Sequence, residues 1–167
     1  PAPSVEPRSD SRMGIERKRV KELVPPAVRF PYIRMGRSIS GFRLNTTGGR
    51  FGPFDGQLFL GDYALSIIMR ATTEQVNGVW QGACYPFREG LATGIMNVEF
   101  SPKDQLVAGG FTTTSQWPVR GTEPFALQRI DWNGVVPFEI REIHIRKDGF
   151  NITFTRPVQP ETAARPR

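Results

Sequence analysis

The chain has 167 residues but only one cysteine and one histidine, and both scarcities exclude chemistry. With Cys84 alone, no internal disulfide forms, and neither a CxxC zinc or thiol motif nor a CxxCH haem attachment is encoded. With His144 alone, a multi-histidine metal site is ruled out. Any Ser-His-Asp mechanism would have to run through that residue. Long apolar runs are also missing: no window of about 18 uncharged apolar residues exists to span a membrane. Hydrophobic residues make up 38%, which is thin for an independent core. The opening Pro1-Ala2-Pro3 shows neither an initiator methionine nor a signal-peptide pattern, so the chain is expected to be an internal piece of a longer one.

What is plentiful is glycine and proline, 17 and 15 residues, an excess that favours short strands and turns over long helices. Charge is unevenly placed. Residues 1–50 carry 11 Lys/Arg against 4 Asp/Glu, and residues 51–167 carry 11 against 12. The net charge of +6 therefore belongs to the N-terminal third. An evenly basic nucleic-acid-binding fold would look different.

Residues 1–27 read as a basic linker or extended segment with proline at both ends. Within it, Met13 to Leu23 could form two or three helical turns on a thin stripe of Ile15, Val20 and Leu23, stopped by Pro25. Residues 28–55 alternate glycine with aromatics and are expected to be an ordered loop packed by its own rings. Thr46-Thr47-Gly48-Gly49-Arg50-Phe51-Gly52 lacks the Gly-Lys-Ser/Thr ending of a phosphate loop.

From residue 56 the pattern is β. Strands are expected at 57–62, 66–71, 79–85, 95–100, 105–110, 125–132, 138–146 and 150–155, with Asn77-Gly78 as a strong hairpin signal. Ile140 and Ile143 differ in parity along their strand, which a bulge near Glu142 would repair. Such short strands at hairpin spacing define an antiparallel all-β protein: sandwich, barrel or propeller. The tail from Pro157 is polar and proline-rich.

Individual residues carry weak signals. His144 lies between Ile143 and Ile145 with no carboxylate obviously placed to orient it, so an exposed strand histidine is expected. Cys84 is expected as a small buried hydrophobe. Trp80, Trp117 and Trp132 suit strand packing or, alternatively, a sugar-stacking platform. Asp55 and Asp62 flank a strand and fall short of the oxygen ligands calcium requires, so turn capping is expected of them. Asn45-Thr46-Thr47 and Asn151-Ile152-Thr153 match the glycosylation acceptor pattern.

Longer phrases carry a resemblance. Phe51-Gly52-Pro53-Phe54-Asp55-Gly56-Gln57-Leu58-Phe59-Leu60-Gly61-Asp62 is the first, and Gln81-Gly82-Ala83-Cys84-Tyr85-Pro86-Phe87-Arg88-Glu89-Gly90 the second. Pro124 to Ile130 and Val136 to Ile140 extend them. With these phrases the chain resembles the C-terminal part of large secreted planctomycete-type proteins, whose β-propeller is similar to the soluble glucose/sorbosone dehydrogenases. The resemblance implies an all-β fragment, about one to two blades of a six-bladed propeller. Residues 28–135 would be the blade region, 136–160 a hairpin leading into a second, sandwich-like β module, and 161–167 a tail. It also implies a periplasmic or extracellular location. In the dehydrogenase relatives pyrroloquinoline quinone (PQQ) and calcium sit at the propeller axis, and a histidine removes the sugar's hydroxyl proton. That histidine belongs to an earlier blade. Their Arg-x-Arg phrase is also missing from the matching stretch Thr93 to Val98. Arg88 and Asp62, both beside glycine-rich loops, are the candidate cofactor-facing groups.

Three functions follow as expectations. The first is a fragment of a PQQ-dependent sugar dehydrogenase-like oxidoreductase, active in the full-length parent and not in this chain alone, with the remaining blades as its partners. The second is a non-catalytic β module that binds carbohydrate or a protein. The third, ranked last, is nucleic-acid binding through residues 8–50.

Overall fold

The computed structural model describes Val5, residues 11–112 and residues 118–163, with residues 162 and 163 described by their backbone alone. Within the basic segment read as linker or extended, Met13–Arg19 forms α1, shorter than the thin apolar stripe allowed. Glu16 is buried and pairs with Arg19 at 2.6 Å, and Val20 turns extended to end the helix ahead of Pro25. The tail begins with one helical turn, α2 (Pro160–Ala163).

The protein is all-β, as the turn chemistry predicts, with nine strands among the described residues. Strands β1 (Ile39–Leu44), β2 (Leu58–Asp62), β3 (Ile67–Val76) and β4 (Val79–Arg88) form one antiparallel up-and-down sheet in sequence order. β5 (Ile95–Phe100), β6 (Leu106–Phe111) and β7 (Phe125–Ile130) form a second sheet, and β8 (Ile140–Arg146) with β9 (Gly149–Phe154) a separate hairpin. Asn77 and Gly78 close β3 onto β4 with φ of 50° and 78°, as a two-residue hairpin loop requires. The expected bulge is there: the β8–β9 register shifts between Ile140 and Glu142.

One correction concerns residues 28–55. They are not all loop, because Ile39–Leu44 pairs with β2 as an edge strand. The remainder does pack by its rings: Phe51 and Phe54 enter the main core with Phe59, Ile68, Ile95, Val98 and Leu106. Edge-to-face contacts of Phe51 and Phe59 with Phe100 knit the first sheet to the second.

Register decides the faces. Phe59, Ile68 and Arg70 point into the core between the two sheets, while Leu60, Met69 and Ala71 point outward. That outer face is covered by the chain's own Val28, Phe30 and Met35. The sheets meet along β1 and β5. There the Ser40 hydroxyl donates to the Ile95 carbonyl at 2.5 Å, and Arg43 pairs with Glu99 at 2.5 Å.

Candidate functional site

Asp62 does not face a pocket. It is fully buried, and its carboxylate accepts the backbone N–H groups of Arg37 (2.7 Å), Ser38 (2.8 Å) and Leu65 (2.8 Å). These bonds pin the segment before β1 and the β2–β3 turn, which is the capping job expected of an aspartate there. Arg88 sits exposed at the end of β4. The Asp62 carboxylate oxygens are thus committed to backbone donors. Among the described residues, no group of three or more His, Cys, Asp or Glu is arranged to hold a metal ion. Asp55 likewise caps a turn, accepting from the Gly48 amide at 2.8 Å.

The buried polar centre is elsewhere, at Arg70 on β3. Its side chain is 1% exposed. Nη1 donates to Gln57 Oε1 at 2.6 Å, and Nη2 donates to Glu139 Oε2 at 3.0 Å. The guanidinium lies 3.7 Å from the Phe54 ring centre and 5.0 Å from that of Tyr85. Burial pushes its pKa down, and Glu139 opposes this. Gln57 in turn donates to the Arg141 carbonyl at 2.7 Å. Arg70 and Gln57 thus tie the first sheet to the base of the β8–β9 hairpin.

His144 is the second correction. It is not a solitary surface histidine. Nδ1 lies 2.9 Å from Glu74 Oε2, and Nε2 lies 3.2 Å from Glu142 Oε2. Glu74 Oε1 accepts from Gln81 Nε2 (2.9 Å) and from the Ile145 amide (2.9 Å). These bonds hold the Glu74 carboxyl down at about 2, the Ile145 amide contributing most. The bond to Glu74, then that to Glu142, raises the pKa of His144 above its ordinary value. With both ring nitrogens facing carboxylates, the imidazole has no free nitrogen to take a substrate proton, so it does not serve as a general base. Next to it a groove of about 390 Å³ runs between β4 and the hairpin, lined by Gly82, Ala83, Ile143, Ile145, Phe150 and Ile152.

A more polar cleft of about 580 Å³ opens between β1 and β5, with Arg43, Thr46, Glu99 and Asp104 on its walls and Phe42 at its rim. Arg50 clamps Asp104 through two bonds, of 2.5 and 3.1 Å. Of the tryptophans, Trp132 packs against the main core and Trp80 stands exposed near the β3–β4 tip, while Trp117 lies outside the described residues. They do not form a shared platform among the described residues. Cys84 is half-buried, its thiol bonded to the Arg29 carbonyl at 3.7 Å. Asn45 is fully buried with its amide bonded to the Phe54 carbonyl, so the first glycosylation motif is closed, whereas Asn151 is exposed on β9.

Among the described residues, one side of β6 and β7 is left uncovered. Phe125 pairs with Phe111 and Leu127 with Gly109, which places the three side chains on one side. Phe125 is 78% and Leu127 79% exposed. Exposure alternates along β7: Phe125, Leu127 and Arg129 are exposed, while Ala126, Gln128 and Ile130 are half-buried. No family model matches the chain, and neither a curated protein nor a solved structure matches it.

Proposed function

We propose that this chain is a scaffold piece of a larger, exported β-propeller protein similar to the PQQ-dependent sugar dehydrogenases, and that its own task is to dock neighbouring sheets. The exposed apolar strip of β6 and β7, with Phe111, Phe125 and Leu127 on one side, carries this reading. The first sheet has its outer face covered by Val28, Phe30 and Met35, while the second leaves Phe125 and Leu127 in solvent. Apolar sheet faces of this kind call for a partner. The up-and-down order β1-β2-β3-β4 has the connectivity of a propeller blade. Sugar oxidation, and the quinone and calcium that would support it, belong in this proposal to residues of the parent outside this chain.

Sedimentation velocity tests the docking face. The chain should associate as its concentration rises. Phe125→Glu with Leu127→Glu should abolish that association and leave the melting temperature unchanged, because both side chains are already exposed. A wild-type chain that stays monomeric at all concentrations would sink the proposal.

A second reading, carbohydrate binding, is favoured by the cleft between β1 and β5. Its ion-paired Arg43 and Glu99, with Thr46, Ser101 and Asp104 on the same walls, supply polar partners for the hydroxyls of a sugar. Retention on insoluble polysaccharide without sugar-dependent dye reduction in the parent would favour it over the first.

A further inference from the structure

We propose that His144 is a pH-operated clasp that holds the outer half of the β8–β9 hairpin against the β3–β4 ribbon. The hairpin is docked at two levels. Near its base, Arg70 and Gln57 reach Glu139 and the Arg141 carbonyl from the core. Further out, His144 Nδ1 and the Ile145 amide both meet the Glu74 carboxylate. The apolar groove lies at this outer level, with one wall on β4 and the other on the hairpin, so it keeps its shape only while the clasp is closed.

The charges around the ring make the joint sensitive to protonation. β3 presents Glu74, and β8 presents Glu142, whose other oxygen lies 3.3 Å from Arg141 Nε. Gln81 on β4 and Asn151, the β9 residue opposite His144, are neutral. Arg146, Lys147 and Asp148 lie further along the hairpin. A doubly protonated ring donates to both carboxylates. A neutral ring keeps one N–H, so one carboxylate then faces a lone pair, and two acidic groups confront each other with one cation fewer.

The pH window follows from the two shifts. His144 is raised above 6.5, so its contribution is complete below 6.5 and is lost as pH rises through the higher folded value. Glu74 is lowered from 4.5 to about 2, so its contribution is present above 4.5 and is lost as pH falls through about 2. Both groups hold the clasp between 4.5 and 6.5; on the alkaline side it loosens as the ring loses its charge, while the Ile145 amide keeps its bond to Glu74.

Nuclear magnetic resonance on the full chain tests this. The His144 ring should titrate with a midpoint above 6.5. Amide protection factors in β8–β9 should fall about tenfold between about pH 6 and about pH 8.5, with those of β2 and β3 unchanged. Glu142→Gln should move the ring's midpoint down and leave the hairpin docked. His144→Gln should make hairpin protection independent of pH over this range. The clasp is overturned if wild-type protection is flat across that range, or if it falls as steeply in His144→Gln. Should His144→Gln fail to fold, Glu142→Gln decides: a midpoint that does not move overturns the proposal.

Discussion

At the scale of single residues, the strongest structural commitment is an arginine that a sequence reading passes over. Arg70 stands in the run Ile67-Ile68-Met69-Arg70-Ala71, and four apolar neighbours make the stretch read simply as a buried strand. Its register puts the side chain into the core, where Gln57, Glu139 and two aromatic rings receive it. Arg70→Ala leaves the buried Gln57 Oε1 without its donor and opens a cavity against Phe54. We expect a loss of about 3–5 kcal/mol in chemical denaturation. Adding Gln57→Leu to Arg70→Met should recover part of that loss, since removing both polar partners strands fewer groups. A cost below about 1 kcal/mol for Arg70→Ala would mean that the buried network contributes little net stability. His144 shows the complementary limit. Glu142 could be read as its same-face neighbour two positions away, but Glu74 comes from another strand 70 residues earlier, and nothing local encodes that meeting.

At the scale of elements, the signals that were legible are those fixed by local backbone chemistry. Asn77-Gly78 specifies its hairpin because both residues accept positive φ, and the parity break at Ile140 announces its bulge. β1 was not legible. Ile39 is the one β-branched residue of Ile39–Leu44, and its partner β2 is separated by the glycine-rich loop 45–57, so tertiary pairing is what makes it a strand. Two of its neighbourhood's glycines have a packing reason. A Cβ on Gly41 would sit 2.5 Å from Asn97 Oδ1 and 2.7 Å from the Met96 carbonyl, and one on Gly61 would sit 2.4 Å from Ile95 Cγ2. These bare backbones let β1 and β2 approach β5. Gly61→Ala should therefore push the sheets apart against a fully buried Ile95, at a cost of about 1–3 kcal/mol in thermal or urea unfolding. Gly78→Ala makes a useful contrast. No atom lies within 4 Å of a Cβ there, so its cost is conformational, from φ of 78°, and should leave the contact between the sheets intact.

At the scale of the whole molecule, alternation of polar and apolar residues reports which face a side chain takes but not which sheet lies opposite. The all-β class was therefore readable, while the pairing of sheets around a common core was not. Leu106 is the residue on which that pairing is most exposed to test. It is fully buried, pairs with Phe100 and Ile130 across its own sheet, and shares one core with Phe51 and Phe59 of the first sheet's side. Its truncation removes contacts from both sheets at once. Leu106→Ala should cost about 3 kcal/mol, and hydrogen exchange should show β2, β3, β5 and β6 losing protection together, because the main core is built by both sheets. The β8–β9 hairpin is joined to this body mainly by the polar contacts of Arg70, Gln57 and Glu74, so its outer amides should respond to pH more than to this substitution. If Leu106→Ala loosened β5–β7 and left β2 and β3 at wild-type protection, the two sheets would be separate folding units. The first sheet would then stand on its second cluster, Leu60, Leu65, Ile67 and Met69 under Phe30 and Met35, and docking onto further sheets would belong to β5–β7 alone.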